Sequence, residues 1–355
     1  MSGARTTRAA ILVAQNEDLV VDEIELPEAL APGQVLVELH TSGICGSQLG
    51  EIDGVKGPDR HLPHLLGHEG CGTVAEIGPG VRHVTVGDRV VLHWRKGAGI
   101  EAAPPTYKWR GKPLNAGWVT TFNERAIVSE NRLTPIAKDF DPALAALFGC
   151  PVTTGLGVVA NDAKLGFGES IVVLGVGGVG LSIIQGAALA SANPIVAVDK
   201  VVARVELAEQ LGAGTGIVAP ADVGELTNRI RQAVGVAGAD AVVETTGAAP
   251  MITLACELTQ PKGRTVLVGV PDGATPATIH TLPLHLGKTL VGSHGGDAEP
   301  ARDIPRYVGL CESGKLDLAP LVTDRFKLDE INQAIAKIRS GEAAGRCVIE
   351  LSPLP

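Results

Sequence analysis

The stretch Ile171-Val172-Val173-Leu174-Gly175-Val176-Gly177-Gly178-Val179-Gly180 decides the fold. Four branched apolar residues in a row suit a strand buried on both faces, as parallel sheets require. They run straight into a turn in which each glycine has its own physical task. Gly175 can make the tight bend, Gly177 lets backbone approach a pyrophosphate, and Gly180 lets the following helix, opened by Gly178 and Val179, pack close to the sheet. The phosphates would rest on that helix N-terminus. The next apolar strand, Ile195-Val196-Ala197-Val198, closes on Asp199. A carboxylate there accepts hydrogen bonds from both ribose hydroxyls of NAD and repels the extra phosphate of NADP. Lys200 and Arg204 follow closely and partly offset the repulsion, so NADP remains the lesser alternative.

The chain has 355 residues, too many for one typical core and suited to two domains. Hydrophobic residues make up 45% and aromatics 3%, a balance of small apolar side chains that fits closely packed strands and helices. The net charge of -9 argues against a nucleic-acid surface, which needs clustered basic residues. No apolar run spans a bilayer without an interrupting glycine or charge, and Met1 to Ala10 lacks the apolar core of a signal peptide. The expectation is a cytoplasmic protein without membrane partners. Cys45, Cys71, Cys150, Cys256, Cys311 and Cys347 are scattered too widely for a secreted disulfide framework, which leaves metal or catalytic roles open for some.

Before about Leu156 the pattern is one of short strands and turns. Ala10 to Val13, Gln34 to His40, Gly72 to Ile77 and Arg89 to Leu92 are β-rich runs separated by Pro-Gly and Gly-Asp elements. From Ser170 onward strands alternate with helical stretches: Gly178 to Leu189, Val202 to Leu211, Ala241 to Glu244, Met251 to Leu258 and Thr265 to Gly269. Such alternation predicts a doubly wound parallel sheet of the α/β class. After about Leu290 helices are expected at Pro300 to Ser313 and Leu328 to Ser340, with a last strand near Cys347 to Leu351 that could return to the first domain.

Three residues upstream of the glycine turn stand in glycine-framed settings: Cys45 in Gly43-Ile44-Cys45-Gly46-Ser47, His68 in Gly67-His68-Glu69-Gly70, and Cys150 in Phe148-Gly149-Cys150-Pro151. They are too far apart for a finger-like metal motif, and each alone reads as readily as a buried cysteine or a solvated histidine. Together with Gly87-Asp88-Arg89-Val90, Thr153-Thr154-Gly155 and the glycine turn, however, these segments resemble the zinc-dependent alcohol dehydrogenases of the medium-chain dehydrogenase/reductase superfamily. The resemblance covers nearly the whole chain. It implies a β-rich GroES-like catalytic domain over residues 1–153 and 293–355 and a Rossmann NAD-binding domain over residues 154–292.

The resemblance further implies that Cys45, His68 and Cys150 hold a catalytic zinc, with Glu69 as a nearby carboxylate and Ser47 accepting the substrate hydroxyl proton. Two thiolates and an imidazole suit zinc, and three protein ligands leave a fourth position for substrate. Zinc there acidifies an alcohol so that hydride can pass to nicotinamide, or polarises a carbonyl in reverse. Thr154 and Val179 would lie beside the nicotinamide, and Val268 would hold its carboxamide through backbone groups. Arg204 would sit near the adenosine ribose and Arg346 at the pyrophosphate. The implied partners are a small alcohol or carbonyl substrate and further copies of the chain, as homodimer or homotetramer.

The chain departs from the family pattern in three places. From Trp94 to Thr121 it has no cysteine, where many members bind a structural zinc through four, so one catalytic zinc and no structural zinc is expected. That segment instead gathers Trp94, Trp109 and Trp118 with Arg95, Lys96, Lys108, Arg110 and Lys112. Trp94 falls near the family position lining the substrate cleft, and Trp118 is a second candidate, while His93 would point to the other face. A substrate-facing loop of this kind implies a polar secondary alcohol such as a sugar, polyol or cyclitol derivative. A solvated basic loop is the plainer account. After Ser47 the chain reads Gln48-Leu49-Gly50-Glu51, without the relay histidine of liver-type enzymes and with Gln48 in place of an acid, so proton release to water is the working expectation. Alternative readings are an S-(hydroxymethyl)thiol or primary alcohol dehydrogenase and, from another class, a catalytically silent NAD-binding scaffold or sensor. The intact zinc-ligand set argues against the last.

Overall fold

The computed structural model describes residues 5–352 apart from 272 and 274. The chain divides into two compact units: Met1–Cys150 with Glu299–Ser313 and Val322–Pro355, and Pro151–Ala298 with Gly314–Leu321. The first boundary falls at Cys150 rather than residue 153, and the second at Ala298 rather than residue 292. The stretch Gly314–Leu321 also goes with the second unit, not with the C-terminal return to which sequence reading assigned it. A side-chain hydrogen bond explains part of this: Gln185, inside the helix Gly178–Leu189, donates to the Asp317 carbonyl.

The second unit is built on six parallel strands in the order Thr215–Val218, Ile195–Asp199, Ile171–Leu174, Ala239–Glu244, Thr259–Leu267, Thr289–Gly292. Val172 pairs with Val196 on one side and Val242 on the other, and all three are fully buried. Each such side chain contributes about 1.5–3 kcal/mol by leaving water, which is why an unbroken apolar run reads correctly as the central strand. The chain works outward from Ile171–Leu174 in one direction, then crosses to the other side at Ala239–Glu244. That reversal is the switch point at which doubly wound sheets bind ligands, and the glycine turn leaves the central strand there. Sequence reading missed the strand Thr215–Val218 and the helix Val223–Val234. The strand is short and carries Gly216, at which an added Cβ would lie 2.4 Å from the Val205 side chain.

The first unit contains two sheets. Five strands run in the order His64–Leu65, Thr6–Leu12, Val20–Glu25, Tyr107–Trp109, Lys112–Leu114. The larger sheet runs Leu133–Ile136, Arg89–His93, Glu69–Ile77, Gln34–Gly43, Arg346–Glu350, Val322–Lys327, with Arg125–Ser129 also paired to Gln34–Gly43. The C-terminal strand thus enters the sheet beside a strand formed three hundred residues earlier, pairing Ile349 with Ser42. Beneath it one apolar cluster joins Leu12, Ile44 and Phe122 to Ile331, Ile335, Cys347 and Ile349. No helix among the described residues is long and apolar enough to cross a membrane.

His93 ends one strand of the larger sheet and is buried, with Nδ1 2.7 Å from the Arg95 carbonyl and Nε2 2.9 Å from Thr134 Oγ1. Burial pushes its pKa down to about 4 from an ordinary 6.5. Above pH 6.5 the ring is neutral in both folded and unfolded chains. As pH falls toward 4 the unfolded ring takes a proton that the folded one refuses, so stability is lost through that window, by roughly 3 kcal/mol in all. Urea unfolding from pH 7.5 to 4 should show this decline in the native protein, and His93→Asn should remove that part of the slope.

Candidate active site

Neighbouring strand ends bring the first two metal-ligand candidates together. Gln34–Gly43 and Glu69–Ile77 are antiparallel partners with Ser42 opposite Gly70. Cys45 follows the end of the first strand and His68 precedes the start of the second. Cys150 arrives from elsewhere, after the helix Pro142–Leu147, and Gly149 makes its approach possible. A Cβ on Gly149 would lie 2.3 Å from the Leu92 carbonyl oxygen and 2.7 Å from the Glu69 Cα, so only glycine lets this backbone rest on that strand pair.

The potential ligand atoms of Cys45, His68 and Cys150 all lie within 4.8 Å of one another, and among the described residues they form the one such group of potential metal ligands. The two sulfurs are 3.9 Å apart. That is far beyond a disulfide and close to the separation of about 3.8 Å that two thiolates take on a tetrahedral zinc with bonds of about 2.3 Å. Gln48 orients the imidazole. Its Oε1 accepts from the Cys45 backbone N–H at 3.0 Å, and its Nε2 contacts His68 Nδ1. His68 Nε2 is left buried without a hydrogen bond. An orphaned ring nitrogen beside two sulfurs is what a zinc ion would satisfy, so the donor set fits the metal.

Electrostatics in this cluster are strongly coupled. The Cys45 thiol is held well below its ordinary pKa, first by the Cys150 S–H donating to it, while Cys150 is pushed well up by the same contact and by burial. Burial alone would lower His68, but the Cys45 sulfur outweighs it and the imidazole moves up. Glu69 is fully buried, and burial raises its pKa to about 7 against the opposing pull of Arg346. The Arg346 guanidinium lies 3.2 Å from Glu69 Oε1. Although burial opposes its charge, Glu69, Cys45 and Cys150 hold it protonated. Arg346, for which the resemblance implies a pyrophosphate contact, also sits among the zinc-ligand candidates of the first unit. Ser47 belongs to the short helix Gly46–Ile52 that follows Cys45, and its Oγ is shielded and without a partner.

The segment Trp94 to Thr121 separates into two environments. Trp109 and Arg110 belong to the smaller sheet: Trp109 Nε1 donates to Asp22 at 2.8 Å, and Arg110 pairs with the same carboxylate at 3.0 Å. Trp94 and Trp118 meet Arg132 instead, which donates to the Trp94 carbonyl and lies 5.5 Å from the Trp118 ring centroid. Glu69 pairs with His93 at the ends of their strands, and His68 and Trp94 are the residues just beyond that pair. Thr121 N–H and Phe122 N–H both donate to the Leu66 carbonyl, which ties the segment after Trp118 to the residues just before His68.

In the second unit Gly175 has φ +89°, a conformation open chiefly to glycine. A Cβ on Gly180 would stand 2.1 Å from the Gly175 carbonyl oxygen, while Gly177 faces open space. These are the turn, the close helix contact and the free approach that the motif implies. Asp199 Oδ2 accepts from Val176 N–H at 2.9 Å and Oδ1 from Val201 N–H at 3.0 Å, with Arg204 Nη1 3.8 Å from Oδ1. The carboxylate is thus locked beside the glycine turn. Thr154 is buried in the helix Pro151–Gly157, and Val179 lies in the first turn of Gly178–Leu189. Val268 follows rather than ends its strand, with its N–H on the Glu244 carbonyl at 2.8 Å.

Comparison with known proteins bears on both units. Residues 31–138 match the alcohol dehydrogenase GroES-like domain, and residues 178–313 match the zinc-binding dehydrogenase domain. The chain is 30% identical over 363 residues to S-(hydroxymethyl)glutathione dehydrogenase of Photobacterium damsela subsp. piscicida, spanning 95% of this chain and 98% of that protein. An alcohol dehydrogenase zinc-binding domain protein from Burkholderia ambifaria superposes with a TM-score of 0.89 at 28% identity, covering 99% of this chain and 100% of the other. Benzyl alcohol dehydrogenase from Acinetobacter calcoaceticus gives a TM-score of 0.87, also at 28% identity, over 98% and 100% of the two chains. The chain belongs to the zinc-dependent alcohol dehydrogenase family of the medium-chain dehydrogenase/reductase superfamily, NAD-linked oxidoreductases that act on alcohols.

Proposed function

We propose that this chain oxidises a primary alcohol or an S-(hydroxymethyl)thiol, or reduces the corresponding carbonyl, at the cluster of Cys45, His68 and Cys150. The observation that carries the reading is that cluster: two sulfurs 3.9 Å apart facing an imidazole whose Nε2 lacks a hydrogen bond. Bound there, zinc would acidify an alcohol or polarise a carbonyl, and NAD on the glycine turn would exchange the hydride. The chain's own residues do the rest. Ser47 Oγ, shielded and unpartnered, takes the substrate proton, and Glu69 with Arg346 supplies a compensating charge pair beside the donors. Of the histidines nearest in sequence, His40 is bonded to Thr73 and His64 to Asp59, while His61 is exposed, which supports proton release from Ser47 to water.

A polar secondary alcohol, such as a sugar, polyol or cyclitol derivative, is the second reading. It rested on the cations between Trp94 and Thr121. Two of them are engaged within the protein, Arg110 with Asp22 and Lys96 with Glu101. The S-(hydroxymethyl)glutathione and benzyl alcohol names of the relatives favour the first reading. The assembly we propose is a homodimer or homotetramer, as the resemblance implies.

A panel of benzyl alcohol, ethanol, an S-(hydroxymethyl)thiol, sorbitol and myo-inositol, with zinc-loaded protein and NAD, tests the function through reduced nicotinamide. Turnover should be fastest with the first three. NAD binding with no turnover on any would make the protein a binding scaffold. Elemental analysis after exhaustive dialysis should find one zinc per chain, and a second equivalent would overturn the single-site reading. Asp199→Ser should shift the kcat/KM preference toward NADP by about tenfold, since it removes the charge that repels the extra phosphate.

A further inference from the structure

Arg132 was not singled out by any motif, yet its side chain is only 5% exposed and reaches three places at once. Nη1 donates to the Trp94 carbonyl, the guanidinium carbon lies 5.5 Å from the Trp118 ring centroid, and Nη2 is 3.2 Å from Glu101 Oε1. It projects from the short turn Glu130–Arg132, whose anchorage is unusually firm. The neighbouring Glu130 carboxylate accepts from the N–H groups of Arg82 and His83 at 2.6 Å each and of Ile100 at 2.7 Å. The guanidinium therefore has a rigid base. Trp118 does not: its side chain is 52% exposed and gains its orientation from what lies behind it.

Trp94 follows His93, the strand partner of Glu69 next to His68, and Arg132 joins the Trp118 ring to the Trp94 carbonyl. A desolvated cation behind an indole holds it strongly, because water does not compete for the charge. We propose that Arg132 is the positioning residue that fixes Trp94 and Trp118 as two aromatic walls of the alcohol site beside His68, and so sets its preference for ring-bearing alcohols. This rests on the dehydrogenase reading above. Arg132 is hydrogen-bonded to none of the metal-ligand candidates, and it acts through the Trp94 carbonyl and the Trp118 indole.

The test compares wild type with Arg132→Met, which keeps the length of the side chain and loses its charge and donors. With the zinc-loaded enzyme and NAD, KM for benzyl alcohol should rise roughly tenfold while kcat stays within about twofold, and KM for ethanol, too small to span the walls, should hold. Arg110→Met, which removes the cation over Trp109 and its ion pair with Asp22 in the smaller sheet, should leave the benzyl alcohol KM unchanged. Tryptophan emission supplies a readout independent of turnover: Arg132→Met should shift it to the red and raise acrylamide quenching. Equal changes in kcat and KM for both alcohols, or unchanged KM and emission, would overturn the proposal. Should Arg132→Met fail to fold, Trp118→Ala at its exposed position must give the same KM-only loss for benzyl alcohol, and an unchanged KM there overturns it too. Absence of turnover in the wild type sinks the dehydrogenase reading alone, and emission and quenching of Arg132→Met then decide whether Arg132 holds the walls.

Discussion

The buried ion pair between Glu69 and Arg346 is the interaction on which the metal-ligand cluster depends. Two thiolates and a carboxylate cannot share a dry site without compensation, because the cost of removing charge from water is several kcal/mol per ion. A divalent metal and one guanidinium balance them. Arg346 comes from the last strand of the chain, which enters the larger sheet beside Gln34–Gly43. The C-terminal return is therefore an electrostatic requirement as well as a packing one. Losing Arg346 would leave Glu69 unpaired in a fully buried position.

Close backbone approach is the second constraint, and it recurs in both units. Gly149 rests on Leu92 and Glu69 so that Cys150 can meet Cys45, and Gly180 rests on Gly175 so that a helix can begin directly behind the central strand. In each case a single methyl group would collide with backbone, which cannot swing aside as a side chain can. The chemistry thus hangs on positions that carry no chemistry themselves.

Much of this was legible along the chain. The central strand, the glycine turn and Asp199 are contiguous or nearly so, and local residues dictate their geometry. The same holds for helices with a clear apolar periodicity, such as Pro300–Glu312. Less legible were Thr215–Val218, too short and glycine-broken to read as a strand, and Arg132, whose partners lie at Trp94, Glu101 and Trp118. Nor could sequence separate Trp109 from the other two tryptophans. A run of aromatics and cations looks alike whether it faces a sheet neighbour or a reaction.

By itself, then, the sequence determined a parallel nucleotide-binding sheet and, through resemblance, the identity of three metal-ligand candidates. Tertiary structure alone decided that Arg346 lies on Glu69, that Gln48 bridges Cys45 and His68, and that Arg132 joins two tryptophans while Arg110 is spent on Asp22. The reason is physical. Turn geometry and strand burial follow from neighbours a few residues apart, whereas charge compensation and the orientation of an indole depend on which distant groups the fold brings within a few ångströms.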